Sequence, residues 1–507
     1  MDWSDGYVSD VGYTTGFYRE LAPSFLHFAA LIQGQAAPDP AQPFTYCELG
    51  CGQGFATNVL AAAYPHGRFV GIDFNPAQIA NARRLAADGG LDNVTFRDDS
   101  FRQAADLPAD DLPMFDFVTL HGIYSWVSPE NRQALVRFIE RKLKPGGLVY
   151  VSYNCMPGWA ALEPFQRLLR EHADRNPARS DHQAGAGMAF VQKLRDAEMS
   201  YFTQNPRVGK VLDAAKDKDR AYLAHEYLNG TWQPLFFPDV AKELSAAKLD
   251  YVGSASLLEN FESIALTKAA REAIAEVGDS DFREMLKDYA SNQQFRRDIY
   301  VKGADALTSP EKKESLLDLP FQPLVSHDQV TFTFRTPLGQ ATGQTKVYEP
   351  LVQELWAGNN TVRKIAANTG FDFGTLLQAL AALVANGCVH PARTDGDAAI
   401  SRQFNAAVAR KVLLGHPFRY VAAPVAGNGI HASDVELTIL SALSEGVAPE
   451  TEPLAKAAWG HFRRVGRRLT REGQPIEDEQ DNLDELQTRT RNFLESRLQV
   501  WRDLGVL

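Results

Sequence analysis

Cysteine is scarce in this chain, and the four it has lie apart. Cys47, Cys51, Cys155 and Cys388 form no CxxC pair and no Cys/His spacing of a metal site. Neither a disulfide framework nor a bound metal is expected, and Cys47 and Cys51, which flank a glycine-rich turn, read as small buried thiols. No uninterrupted apolar run reaches the ~20 residues that span a bilayer. The opening stretch MDWSDGYVSDVGYTTGFY lacks a basic start followed by an apolar core. Membrane insertion and a secretory signal are therefore not expected, and a cytoplasmic location is. Excess positive charge is also missing. The formal net charge is −11, which disfavours nonspecific nucleic-acid binding and suits a basic or neutral partner.

What is present is an ordinary globular composition, 45% hydrophobic and 23% charged over 507 residues, long enough for about three domains. Phe25, Phe28, Ala29, Leu31 and Ile32 fall at helical spacing, and the Pro-rich APDPAQP at 37–43 follows. Residues 1–43 therefore read as an N-terminal lid and linker. From Phe44 the pattern alternates. FTYCEL, RFVGID, VTFRD, FDFVTL and LVYVSY read as strands, with FATNVLAAAY, PAQIANARRLAADGG and PENRQALVRFIERKL as helices. Strands alternating with helices predict an α/β, doubly wound, Rossmann-like parallel sheet over 44–160.

Beyond it, 161–275 reads as a helical lobe and 276–329 as a helical connector, with a polar linker near 306–323. VTFTFRT, the helix–glycine–helix TVRKIAANTG and FDFGTLLQALAALVANG, and CVHPA predict a winged-helix-like module over 330–398. Residues 399–507 read as a C-terminal helical domain. The second helix of the module carries no Lys or Arg, a poor fit to base contacts, so protein or intramolecular packing is expected of it and no nucleic-acid partner.

The chemistry concentrates in ELGCGQG, residues 48–54, between a strand end and a helix start. Gly50, Gly52 and Gly54 allow a sharp turn and close approach to a ligand, and the next helix offers N–H groups to a carboxylate. A dinucleotide fingerprint would read GxGxxG. Here the spacing is GxGxG with an acid before it. Glu48 suits an α-amino group, whereas a pyrophosphate would have no use for this acid. Asp73 ends the second strand, where a carboxylate can accept both ribose hydroxyls; the plainer reading is a cap for the helix from Pro76. Asp98, Asp99 and Ser100 end the third strand as candidates for an adenine amine, with Asp99 the choice. Pro145-Gly146-Gly147 precede the last strand. Together these features resemble the class I methyltransferase family, which implies S-adenosylmethionine across the carboxyl ends of the strands.

A closer resemblance rests on YTTGFY (13–18), HGIYSWV (121–127), SYNCMPGW (152–159) and HEYLNGTWQPLFF (225–237). These segments look like methyltransferases carrying a methyltransferase regulatory domain, among them the rickettsial protein lysine methyltransferases that modify an outer-membrane protein. The resemblance spans most of the chain and is most specific within 1–270. It implies lysine N-methylation, a two-lobed cleft and a homodimer.

Methyl transfer needs a neutral nucleophile in line with the departing sulfur, so positioning and desolvation dominate and no metal is required. A lysine amine, with a reference pKa of about 10.4, must first lose a proton. Aromatic walls disfavour its charged form, and their faces tolerate residual positive charge. Tyr124, Tyr153 and His121 are the expected catalytic contacts, His121 also lying beside the donor. Trp126, Asn154 and Trp159 are expected at the acceptor, with Tyr13, Phe17 and Tyr18 as a lid. Core packing remains the competing reading for Trp126, Trp159 and His121, and His225 and Glu226 fit a purely structural role in the second lobe. Two rivals stand beside a protein acceptor: a small-molecule N- or O-methyltransferase, and a non-enzymatic protein with a degenerate donor fold.

Overall fold

Seven strands form one sheet in the order β3-β2-β1-β4-β5-β7-β6. They are β1 (Thr45–Leu49), β2 (Arg68–Ile72), β3 (Val94–Arg97), β4 (Phe115–Leu120), β5 (Leu143–Asn154), β6 (Leu249–Ser254) and β7 (Phe295–Lys302). The computed structural model describes residues 6–12, 15–393, 397–471 and 473–507. The first five strands are parallel, and β7 runs antiparallel between β5 and β6. β1 and β4 are neighbours although β2 and β3 intervene in sequence. Such a reversal of strand order opens a crevice at the carboxyl ends.

Local sequence explains the elements. In β1, β2 and β4 the last four residues are buried, as strands covered on both faces require. Helix α1 (Pro23–Ile32) buries nine of its ten residues against the sheet region. Helix α2 (Phe55–Ala63) is buried throughout and starts from Gly54 in the left-handed region. Asn75 caps α3 (Pro76–Gly89), and Ser100 with Gln103 forms a reciprocal capping box on α4 (Phe101–Asp106). Ser128 and Pro129 start α5 (Pro129–Lys142). Capping satisfies amide groups that a helix leaves open.

The sheet is not completed by residues 44–160. After Asn154 the chain leaves for a helical lobe, whose core of Trp159, Phe165, Leu169, Val191, Leu212 and Tyr227 is separate from that of the sheet. It returns at Leu249 to add β6 and β7. The polar stretch near 306–323, expected as a linker, instead holds the helix Ser309–Leu317, capped by Thr308 and Glu311, and the strand Phe321–Pro323. Its amphipathic face packs against α1.

Farther on, the helices Val362–Thr369 and Phe373–Ala385 meet at Gly370, which has φ +72°. The second buries Leu376, Leu377, Leu380, Leu383 and Val384 in the main core. A hairpin, Thr333–Thr336 with Gly339–Thr342, precedes these helices, and Val389–Pro391 pairs back with Phe321–Pro323.

The C-terminal region, mostly helical, clasps α2 and α3. Its helix Ala399–Leu413 lies on α3, and its hairpin Tyr420–Ala423 with Asn428–His431 lies on α2. The Ser401 hydroxyl donates to the Ala62 carbonyl at 2.7 Å and Arg393 to that of Ala63 at 2.7 Å. Among the described residues no helix is long and apolar enough to cross a membrane.

Candidate functional site

The turn after β1 is held by the end of β2. The Gly50 and Cys51 amides donate to the Ile72 carbonyl at 2.7 and 3.1 Å, and the Gly52 amide donates to Asp73 Oδ2 at 2.9 Å. Gly50, Gly52 and Gly54 all have positive φ, from 53° to 72°. Two of them also lack room for a side chain. A Cβ at Gly50 would lie 2.4 Å from Ile123 Cδ1, and one at Gly54 would lie 2.5 Å from Ala82 Cβ. The turn is thus packed between α3 and the loop after β4.

Two carboxylates border the resulting cavity. Glu48 is buried and accepts the Thr57 hydroxyl. Burial pushes its carboxyl up to about 7, only partly offset by that hydrogen bond. Asp73 accepts the Gly52 amide and, through Oδ1, the Asn75 amide at 3.0 Å. Burial raises its pKa too. No cation reaches either acid among the described residues. An apolar wall faces them, formed by Phe74, Phe101 and Ile123. Phe55, also in the lining, stacks on Phe418 of the C-terminal region with centroids 4.6 Å apart.

His121, directly after β4, lines the same cavity. Its ring stacks on Tyr18 at 3.5 Å, and its Nδ1 lies 2.9 Å from the Tyr150 hydroxyl. Enclosure, with Arg297 second, pushes its pKa down to about 3, so the imidazole is neutral at physiological pH. Tyr18 and Trp126 line the cavity with it, and Tyr7 lies between Phe74 and the helical lobe, its ring 5.9 Å from that of Phe74 and 5.6 Å from that of His225. The N-terminal segment bridges two parts of the molecule here. Val8 donates to Asn229 of the helical lobe at 3.0 Å, and Thr15 donates to the Pro417 carbonyl at 3.5 Å.

The expected residues divide accordingly. Glu48, Gly50, Gly52, Asp73, Ser100, His121, Tyr18 and Trp126 line one cavity. Gly54 packs beneath the turn. Tyr13 lies outside the described residues. Asp99 does not reach the cavity: Arg97 binds its carboxylate at 2.5 Å, two residues away on the strand end. Ser100 does, although its hydroxyl accepts the Gln103 amide at 3.2 Å.

Tyr124 and Tyr153 fall on the wrong side for an acceptor contact. Side chains alternate across a strand, so Tyr150, Ser152 and Asn154 of β5 share one face while Val151 and Tyr153 take the other. The Tyr153 hydroxyl donates to Asp298 at 2.7 Å and that of Tyr124 to Glu243 at 2.7 Å. Both rings are fully buried. Trp159 packs inside the lobe, its Nε1–H donating to the Gln294 carbonyl at 3.0 Å. Asn154 is buried at the point where β5 leaves the sheet, its amide donating to Ser125 Oγ at 2.8 Å. Phe17 is an anchor and not a lid, buried with its ring 5.2 Å from that of Tyr420.

Sequence reasoning did not single out Tyr7, Phe74, Phe101 or Ile123. The usable signal was positional: Phe74 and Phe101 each follow a residue already chosen at a strand end.

Comparison with known proteins agrees with this geometry. Residues 42–219 match a family described as a methyltransferase domain, and residues 219–302 match a predicted methyltransferase regulatory domain. A Synechocystis sp. protein described as uncharacterized is 38% identical, with all of both chains covered. The chain belongs to the methyltransferases that carry a methyltransferase regulatory domain. PKMT2 from Rickettsia typhi, in complex with AdoHcy, has the same fold over 95% of this chain and 98% of its own, at a TM-score of 0.70 and 18% identity. Trans-aconitate 2-methyltransferase of Methylobacterium nodulans is 33% identical over 27% of this chain and 47% of its own. The regulatory-domain match includes β6 and β7, so in this methyltransferase that domain supplies two strands of the catalytic sheet.

S-adenosylmethionine is the cofactor, and the residues present suit it. An amino-acid ammonium is the cation that Glu48 lacks, ribose hydroxyls suit Asp73, and an adenine ring suits the apolar wall of Phe74, Phe101 and Ile123. When bound, the cofactor supplies an electrophilic methyl group on a sulfonium. The chain supplies shape, a neutral imidazole and exclusion of water.

Proposed function

We propose that this methyltransferase modifies the side-chain amine of lysine in a protein. The supporting observation is the aromatic share of the cavity lining, to which Tyr7, Tyr18, neutral His121 and Trp126 contribute. A cationic ammonium is disfavoured there and the neutral amine, the nucleophilic form, is favoured. Glu48, the glycine turn and Asp73 hold the donor, with Ser100 at its adenine end. His121, Tyr18 and Trp126 border the acceptor. The division into an N-terminal lid, a catalytic domain, a helical regulatory lobe and a C-terminal region follows the same reading. The helix–turn–helix at 362–385 acts as a winged-helix-like packing module, in keeping with its buried second helix. A cytoplasmic, homodimeric enzyme with no nucleic-acid partner completes the proposal.

A second reading has its own support. Similarity to trans-aconitate 2-methyltransferase favours a small-molecule acceptor, although the matched share is about a quarter of the chain. Methyl-tritiated donor added with the enzyme to a bacterial lysate separates the two. Label recovered after acid hydrolysis as Nε-methyllysine supports the proposal. Label confined to extractable metabolites overturns it.

A further inference from the structure

The helix Arg220–Tyr227, capped by Asp219, turns two faces to different surroundings. Leu223, Ala224 and Tyr227 enter the core of the helical lobe. Tyr222 and Glu226, four residues apart and therefore on one face, border a small cavity with Tyr7, Gly122 and Trp126. Those last three residues also line the donor cavity. The two cavities therefore adjoin at Tyr7, Gly122 and Trp126, with Glu226 lining the smaller one.

Glu226 is half-buried, and its situation differs from that of the paired acids in the molecule. Burial pushes the Glu226 carboxyl up to about 7, and no cation or hydrogen-bond donor among the described residues offsets this. Its charge also helps to raise the phenols of Tyr18 and Tyr222. The titratable groups around it are Tyr7 and Tyr18 of the N-terminal segment and Tyr222, His225 and Tyr227 of its own helix; Arg297 approaches Tyr18 from β7. Nearby, the Trp126 Nε1–H is buried without an acceptor among the described residues. An enclosed acid without a counter-charge costs stability, and such groups concentrate at functional sites.

We infer that Glu226 receives the ammonium group of the acceptor lysine and removes its proton before methyl transfer. This rests on the lysine reading above. The ammonium N–H bond breaks, the proton passes to a Glu226 carboxylate oxygen, and the N–H electron pair stays on nitrogen as its lone pair. The neutral amine then forms the N–CH3 bond while the S–CH3 pair returns to sulfur. The product ammonium carries the positive charge formerly on the sulfonium. The aromatic walls assist by disfavouring two separate charges over a neutral pair.

The test compares the full-length enzyme with Glu226→Gln and Glu226→Asp. Glu226→Gln is expected to slow Nε-methyllysine formation in lysate protein about 100-fold, in the range for a lost general base. Donor affinity by calorimetry stays within about twofold, since only the acceptor side is altered. The wild-type rate rises with pH through about 7 and levels, whereas the variant rate keeps climbing towards the amine's own pKa; Glu226→Asp regains part of the loss. Without turnover, n-butylammonium is expected to give a saturation-transfer signal on the wild type with S-adenosylhomocysteine bound, and none on Glu226→Gln. Wild-type rate, pH profile and probe signal in Glu226→Gln overturn the inference and leave the lysine reading intact. Loss of donor binding together with turnover also overturns it. Label only in metabolites brings down both.

Discussion

Two groups of enclosed acids in this molecule are built in opposite ways. On β7, Arg296 gathers three carboxylates: Asp288 at 2.7 Å, Asp298 at 3.0 Å and Glu284 at 3.2 Å. The Phe237 ring lies 4.3 Å from its guanidinium carbon, and Tyr153 donates to Asp298. At the donor crevice, Glu48 and Asp73 have hydroxyl and amide donors but no cation. Both sets feel burial, which pushes Asp298 and Glu48 alike to about 7. The first set has its counter-charge within the fold. The second has none among the described residues, and under the proposed assignment the donor's ammonium would take that place.

The contrast is testable at both ends. Arg296→Met strands three carboxylates without their shared cation and should destabilise the fold by about 3–5 kcal/mol, as breaking a buried pair does; denaturant unfolding measures it. An unchanged midpoint would mean the cluster is not structural. Asp73→Ala should weaken donor binding about 100-fold, about 2.7 kcal/mol, by removing an acceptor for two hydroxyls. Calorimetry with S-adenosylhomocysteine checks this, and a loss below threefold would contradict the assignment.

Glu48→Gln should cost about tenfold in affinity near pH 7.5, less because the isostere still hydrogen-bonds. It also changes the pH dependence. The free enzyme holds Glu48 near its midpoint at about 7, while an ammonium beside it favours the ionised form. Binding therefore releases a proton and strengthens as pH rises through 7. That slope should vanish in Glu48→Gln, and a slope retained by the variant would assign it to another group. Smallest of all, Asp99→Asn should leave donor affinity within about twofold, since Arg97 already occupies the carboxylate.

The same contrast explains what could be read from the sequence. Glu48, Gly50, Gly52 and Asp73 were legible as a group because one strand–helix–strand unit brings them together, and all four line one cavity. Four of the five parallel strands were legible because burial on both faces demands apolar runs; β3, with only Phe96 buried, was legible from its place after α3. β7 was not: FRRDIYVK places Arg296, Arg297 and Asp298 in a row, which reads as solvated surface. Its burial depends on Glu284 and Asp288 from a neighbouring helix, a pairing that spacing cannot show. Tyr124 failed because it lies in the loop after β4, where strand periodicity says nothing, and Tyr153 failed for a related reason. Alternation says which residues share a face, but not which face looks onto the crevice. Asp99 and Ser100, adjacent at a strand end, were separable only once Arg97 was seen to turn back.

The excursion between β5 and β6 sets how the lobe is held. The chain departs from the sheet at Asn154, which pairs with Phe295, and rejoins it at Leu249, which pairs with Lys302 at the far end of the same strand. The return leg is itself anchored, with Phe237, Val240 and Leu244 in the core of the sheet. The lobe is also tied to both flanks of the cavity: the Gly230 amide donates to the Gly6 carbonyl at 2.9 Å and the Thr231 hydroxyl to the Trp126 carbonyl at 2.7 Å. The helix that carries Glu226 is therefore fastened to the two segments that bear Tyr7 and Trp126, and the three are braced as one frame around the doorway.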